Sequence, residues 1–185
     1  MAEYYLISQL PSLDGISENT PLSVNEEQFL ELCNRHLSKK ALSELNNLTL
    51  IPSKDYNKSS SALVEKWNDN ERTLRFIMAK IRAEKMNKQA DDISQAVSTV
   101  LLNTVRTAVE IDNPMEAEKF LFKYRLDFLE SLRPMDSFSD DYIYYYGLKL
   151  KLLERMRKFN LQSGENAYRK IYNSIMSEDK TEVIQ

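Results

Sequence analysis

Apolar residues recur along most of this chain at spacings of three, four and seven, as on a helix with one buried side. The segment 60–86 shows the pattern most clearly, because its apolar positions fall on one stripe. They are Leu63, Trp67, Leu74, Met78 and Ile81. A long helix is therefore predicted there, and the same spacing predicts helices over 93–109 and 114–132.

Residues that cap helices mark where several of these helices begin. Ser23 and Glu26 have the spacing of a capping box, which predicts a helix over 24–36. Ser38 predicts the start of a short second helix. Asn113, followed by a proline suited to the first helical position, predicts another start.

Polar and turn-forming residues separate the helices. The segments 11–21 and 48–59 are predicted to be irregular, since both contain proline and small polar residues. The polar stretch 87–92 is expected to end the long helix, and Asp91 or Asp92 to cap the next one.

The segment 141–155 is apolar around much of its circumference, which is typical of a central helix. Gly147 in its interior costs about 1 kcal/mol relative to alanine, so a neighbouring helix is expected to cross closely there. A last helix over 163–176 and a frayed tail over 179–185 are expected to follow. The apolar opening segment 4–10 is expected to dock onto the core.

These patterns predict an all-α fold, an antiparallel helical bundle with long central helices. Only 3 Gly and 5 Pro interrupt the chain, which agrees with that prediction. Its 185 residues allow one helical domain or two subdomains. In the second case, 1–59 would pack with 135–178, and 60–133 would hold the long helices.

The charge and the hydropathy of the sequence argue against two classes of protein, nucleic-acid-binding proteins and membrane-spanning proteins. The net charge of −3, with basic and acidic residues interspersed, argues against a nucleic-acid partner. No apolar run approaches the roughly 18 residues that would span a bilayer. Cys33 has no second cysteine to pair with, and no apolar leader opens the sequence, so a cytoplasmic location is expected.

No recognisable catalytic, cofactor-binding or metal-binding motif is present. The sequence lacks a phosphate-binding glycine loop, a nucleophile elbow and paired histidines. His36 and Cys33 are too few for a metal site, so His36 is interpreted as a helix-end residue and Cys33 as a small core residue. An enzyme would need residues assembled from distant segments.

The candidate interaction residues are arginines and tyrosines. Three arginines share one side of the predicted long helix and could bind acidic groups on a partner. The alternative is pairing within the helix, for instance of Arg75 with Glu71. Of four nearly consecutive tyrosines, at least two are expected in the core, and the remainder could mark an interface. The candidate surface comprises Arg72, Arg75, Arg82, Tyr144 and Tyr145.

Three motifs carry a family resemblance. They are the opening Tyr-Tyr-Leu-Ile-Ser-Gln-Leu-Pro, the core Trp67-x-x-x-Glu71-x-x-Leu74-Arg75 that ends in Ala79-Lys80-Ile81-Arg82-Ala83, and Gly147-Leu-Lys-Leu-Lys-Leu-Leu-Glu-Arg155 followed by Gly164. The chain resembles an uncharacterised bacterial family whose members accompany V-type ATPase components. The third motif also resembles a helix of the V-type ATPase C subunit, the all-helical cap that seats the central stalk on the membrane ring.

The resemblance implies a non-catalytic interaction subunit or assembly factor of a bacterial V-type ATPase, on the cytoplasmic side of the rotor. Its implied partners are central-stalk subunits and the membrane rotor ring. The C subunit is considerably longer, so the chain either replaces it or acts beside it. Two alternatives are a free-standing helical adaptor for another protein and a small all-α enzyme with a pocket inside the bundle.

Overall fold

The computed structural model describes residues 2–16, 20–53, 59–88 and 98–158, together with 164, 166 and 168–173. All regular structure among these residues is helical, which confirms the predicted fold class. The seven bounded helices are α1 (Ala2–Gln9), α2 (Glu26–His36), α3 (Lys39–Asn46), α4 (Ala62–Lys85), α5 (Thr99–Glu110), α6 (Pro114–Ser131) and α7 (Asp140–Lys158). Residues 164, 166 and 168–173 are helical as well, within the predicted last helix.

Helix α7 is the centre of the bundle, as its apolar circumference predicted. It is buried without interruption from Ile143 to Leu150, and α2, α3, α4 and α6 all pack against it. A Cβ atom on Gly147 would lie 3.2 Å from Cε1 of Phe29 and 3.4 Å from Cδ1 of Leu45. The predicted close approach is confirmed, and it is made to side chains of α2 and α3.

Two predicted helix starts are confirmed, and one is wrong by two residues. Ser38 and Asn113 cap α3 and α6 with their side chains. At α2 the capping box consists of Asn25 and Gln28, with distances of 2.8 and 3.1 Å between side chain and backbone. Glu26 is not the reciprocal capping residue, because its carboxylate pairs with Lys151 of α7 instead.

The opening and connecting segments follow the prediction where they are described. Leu6 of α1 is fully buried, so the opening segment docks onto the core, and it does so as a helix. The segments 11–16 and 48–53 are irregular, and Gly15 has a φ of +70°, which favours glycine. Parts of several predicted features lie outside the described residues. These are 17–19, 54–58, the polar stretch 89–92 with the Asp91 or Asp92 cap, the start 93–97 of the predicted helix 93–109, positions 163, 165, 167 and 174–176 of the predicted last helix, and the tail 179–185.

Buried apolar side chains form two cores. The first core joins α1, α2, α3 and α7 to the start of α4 and the end of α6, with Trp67 and Leu129 among its members. The second core joins the remainder of α4 and α6 to α5, and it comprises Leu74, Ile77, Leu101, Val105, Ala108 and Leu121. Both cores share α4 and α6, and the division into the two predicted subdomains stays a prediction.

An ionic layer lies where the two cores meet. Glu71 of α4 is completely buried, and its Oε1 accepts a hydrogen bond of 2.7 Å from Nε of Arg125 on α6. Its Oε2 lies 3.3 Å from Nε of Arg75. Glu118 extends the layer, with its Oε1 2.6 Å from Nη2 of Arg155 on α7 and 3.7 Å from Nη1 of Arg125. The layer therefore ties three helices together.

Removal of one charge from this layer should lower the free energy of unfolding. Arg125→Met leaves the buried Glu71 carboxylate without its main partner, so we expect a loss of about 3–5 kcal/mol in the free energy of unfolding. The double variant Glu71→Met/Arg125→Met buries no unpaired charge there, and it should be much closer to the parent protein. Urea denaturation of the three proteins measures both effects, and equal losses in the two variants would contradict the assignment.

The Cys33 thiol should be chemically inert in the folded chain. Its side chain is completely buried in the first core, and burial raises its pKa to about 12, so almost no thiolate exists near neutral pH. We expect a disulfide reagent at pH 8 to label Cys33 only after unfolding in urea. Rapid stoichiometric labelling of the native protein would show that this part of the core opens readily.

Candidate interaction surface

The three candidate arginines lie on one side of α4, but two of them bind groups within this chain. Nη1 of Arg72 lies 3.2 Å from Oδ1 of Asp69, and its Nε lies 3.4 Å from the backbone oxygen of Ser53. Arg75 pairs with Glu71 and also donates from Nη2 to the backbone oxygen of Leu50, at 3.3 Å. The alternative of pairing within the helix is thus confirmed for Arg75. Both arginines fasten the 48–53 segment to α4.

Arg82 differs from the other two arginines. It is exposed in the last turn of α4, and it forms no ion pair within the described part of the chain. A cation near a helix C-terminus interacts favourably with the helix dipole, which accounts for a few tenths of a kcal/mol of stability. The guanidinium group of Arg82 has no carboxylate partner among the residues that the structure describes.

The prediction that Tyr144 and Tyr145 belong to the interaction surface is wrong. Their exposed fractions are 4% and 2%, and Tyr146 is equally buried at 4%. Three consecutive residues on a helix point in three directions, and α7 has neighbours in all of them. The hydroxyl of Tyr144 lies 3.4 Å from the oxygen of Ala41, and that of Tyr146 donates to the oxygen of Pro11 at 2.8 Å.

Exposed aromatic residues occur elsewhere, on α1 and in the connection between α6 and α7. Tyr4 and Phe138 stack with 3.9 Å between ring centroids, although their side chains are 57% and 41% exposed. Tyr5 and Met135 on the same two segments are also exposed. These four residues define the aromatic patch. Sequence reasoning missed it, because an apolar opening segment predicts burial of the whole segment, whereas this short helix buries only one side.

A buried lysine forms a second group that sequence reasoning missed. The Lys149 side chain on α7 is 6% exposed, and its Nζ lies 2.6 Å from both Oδ1 of Asp14 and Oε1 of Glu130. It also donates to the hydroxyl of Tyr145 at 3.3 Å. Arg133 reaches the same Asp14 carboxylate, with 3.3 Å between Nη1 and Oδ2. The available signal was a lysine flanked by apolar residues on a helix that is apolar nearly all round.

The charges in this group stabilise one another. The hydrogen bond from Lys149 lowers the pKa of Asp14, more than burial raises it. Burial by itself lowers the pKa of Lys149, but hydrogen bonds to Asp14 and Glu130 outweigh it and raise the pKa overall. Burial raises the pKa of Tyr145 to about 12. At neutral pH the lysine is therefore a protonated ion-pair partner and not a nucleophilic amine.

A cleft of about 180 Å³ opens beside this group. It is lined by Asp14, Arg133 and Lys149, by the side chains of Tyr142, Tyr145 and Tyr146, and by aliphatic residues of α1 and of the segment that follows it.

In the described residues, no three acidic, histidine or cysteine side chains converge as metal ligands would, and His36 is the last residue of α2. None of the described helices is long and apolar enough to cross a bilayer.

Comparison with known proteins gives one similarity. A family model whose description is "protein of unknown function (DUF2764)" matches residues 88–179, which are 92 of the 185 residues. Within the described structure, the match covers α5, α6 and α7. No curated protein and no solved structure matches the chain. The similarity supports an uncharacterised family and assigns no activity.

The contacts of Asp14 should raise the free energy of unfolding at neutral pH but not at low pH. Because the folded pKa of Asp14 lies below its usual 3.8, its contribution is complete above that pH and is lost as the pH falls through the folded pKa. We expect Asp14→Asn to be less stable than the parent protein at pH 7, with the difference shrinking below about pH 4. Urea denaturation at several pH values measures it, and a difference that persists unchanged at pH 2 would contradict this assignment.

Proposed function

We propose that this chain is a non-catalytic interaction subunit or assembly factor of a bacterial V-type ATPase, similar to the C subunit of that machine and located on the cytoplasmic side of the rotor. The support for this proposal is the resemblance of its three motifs. The family that matches residues 88–179 adds no functional support, because its function is unknown. The proposed partners are the central-stalk subunits and the membrane rotor ring.

The observation that carries the proposal is the contrast between Arg82 and the rest of the α4 motif. Trp67, Glu71 and Leu74 are completely buried, so they serve the fold. Arg82 is exposed and forms no ion pair within the described residues. A charge that no described residue pairs with is available to a partner, and arginine suits this role because its planar group can bind a carboxylate with two hydrogen bonds.

Helix α4, which carries Arg82, is suited to transmitting force. Helix α4 has 24 residues, which corresponds to about 36 Å at 1.5 Å per residue. It runs through both cores, and the ionic layer fixes it to α6. A rotor-side connection has to transmit force without compliant loops, and a helix held along its length meets that requirement.

Charge reversal at Arg82 tests the proposal. Affinity capture of the intact chain from native membranes should recover central-stalk subunits, and Arg82→Glu should reduce the recovery by tenfold or more, by about the loss expected for a buried charged contact. Arg82→Gln should have an intermediate effect. Recovery should also fall as the ionic strength of the wash rises, because an electrostatic contact is screened by salt.

Arg106→Glu is the matched control, because Arg106 is an exposed arginine on another helix, α5. It makes the same change of charge and should leave recovery unchanged. Both variants should keep native unfolding midpoints within a few degrees, as expected for surface substitutions. If the parent chain recovers no stalk subunit, the proposed association is wrong, and equal losses with both variants would remove Arg82 from the interface.

The aromatic patch favours a second candidate function, that of a free-standing helical adaptor for another protein. Tyr4, Tyr5, Met135 and Phe138 expose apolar area on adjoining segments, and aromatic residues and methionine are enriched in protein interfaces. In that case Tyr5→Ser should abolish capture of the partner, and Arg82→Glu should not. The two candidate functions therefore differ in which substitution prevents binding.

A further inference from the structure

Two cations from different segments converge on a single carboxylate at the edge of the first core. Lys149 comes from α7, and Arg133 follows the end of α6. Nζ of Lys149 lies 2.6 Å from Oδ1 of Asp14, and Nη1 of Arg133 lies 3.3 Å from Oδ2 and 3.5 Å from Oδ1. The ring of Tyr145 lies beneath both, with its centroid 5.7 Å from Nζ of Lys149 and 5.7 Å from Cζ of Arg133. Each cation thus has contacts besides Asp14, because Nζ of Lys149 also lies 2.6 Å and Nη1 of Arg133 3.9 Å from the Glu130 carboxylate.

The carboxylate is the exchangeable part of this arrangement. The side chain of Lys149 is 6% exposed, whereas that of Asp14 is 53% exposed. Asp14 belongs to an irregular segment, between the buried Leu13 and Gly15, which has a φ of +70°. The Asp14 side chain can swing towards solvent without disturbing a helix, but Lys149 cannot leave without opening the core.

The charge balance specifies the kind of anion. Lys149 and Arg133 supply two positive charges, and Asp14 and Glu130 supply two negative charges. Without the Asp14 carboxylate, the group would retain one net positive charge. A monovalent anion restores neutrality, whereas a dianion such as phosphate would overcompensate in a partly buried place.

The adjoining cleft limits the size of the ligand. Its volume of about 180 Å³ is below the roughly 300–1,000 Å³ of typical small-molecule sites. Ile7 and Leu10 line it together with the ring of Tyr142. A carboxylate with a short apolar body fits these dimensions, because the charged end would meet the cations and the apolar end the aliphatic wall.

We propose that Lys149 and Arg133 form a binding site for one carboxylate group, which Asp14 occupies in the free protein and which a carboxylate ligand occupies when it displaces Asp14. The ligand is either a small free carboxylic acid or an acidic side chain of a protein segment. This inference is independent of the association proposed above, since it involves neither Arg82 nor the aromatic patch.

Removal of the internal carboxylate tests the site by chemical rescue. Asp14→Ala empties the anion position, and butyrate is the probe. We expect butyrate to raise the thermal unfolding midpoint of Asp14→Ala by about 2–4 °C over sodium chloride of equal ionic strength, at concentrations several times its dissociation constant. The parent protein should respond several-fold less, because its own Asp14 competes.

A second variant locates the effect. Arg133 is 42% exposed, so Asp14→Ala/Arg133→Gln should still fold, and it should lose the response to butyrate. An equal response of the parent and both variants would identify a general salt effect and overturn the proposal. Absence of any response in Asp14→Ala would also overturn it. Stabilisation by phosphate equal to that by butyrate would overturn the assignment of a monovalent anion.

The two sources of the carboxylate are separated by a further probe. A capped Leu-Asp-Gly peptide repeats residues 13–15 and carries its carboxylate on a protein backbone. If the peptide stabilises Asp14→Ala at a concentration tenfold lower than butyrate, the natural ligand is an acidic protein segment. If butyrate acts at the lower concentration, the natural ligand is a small carboxylic acid. Each outcome supports the site and selects one source.

Discussion

The ion pair between Glu71 and Arg125 is the interaction on which the arrangement of the long helices depends. Apolar side chains alone would allow α4 and α6 to slide past each other, because their buried positions repeat every helical turn. A shift of one turn, about 5.4 Å, would separate these two buried charges. Since an unpaired buried charge costs about 3–5 kcal/mol, the pair selects one register out of several that are similar in apolar packing.

The same principle holds at the other buried polar residues. In the described chain these are Ser61, Glu71, Arg125 and Lys149. Ser61 caps α4 and donates to Asp141 at the start of α7, over a distance of 2.6 Å. Lys149 joins α7 to the segment after α1 and to α6. Each of these residues connects elements that are far apart in sequence, so apolar burial supplies the stability and buried polar contacts determine which elements meet.

Much of the fold could be predicted because it depends on local sequence. The period of the apolar residues located α4, α6 and α7, and the caps Ser38 and Asn113 located two helix starts. The predicted helix 93–109 is correct only in part, because α5 begins at Thr99 with the non-helical Ser98 at its N-cap. The start of α2 differs from the prediction, because two overlapping residue pairs could form a capping box. Two residues of the distant α7 bind Glu26: Lys151 pairs with its carboxylate, and Glu154 accepts a hydrogen bond from its backbone N–H. Conformations decided by contacts between distant segments were therefore beyond a single-sequence argument.

The candidate site was less predictable for the same physical reason. Exposure of a side chain depends on how many neighbours surround its helix, and periodicity says nothing about that number. Tyr145 is buried because α7 is enclosed on all sides, while Tyr4 is exposed because the short α1 has few neighbours.

Asp14 lies beside the first core and Arg82 beside the second, so the ionic layer separates them. Among the described residues they share no partner. Changes at two such sites add independently unless the layer itself rearranges. A departure from additivity in unfolding free energy that disappears in the Glu71→Met/Arg125→Met background would therefore indicate that the layer couples the two sites. Agreement with additivity would mean that the protein presents two separate surfaces on one rigid support.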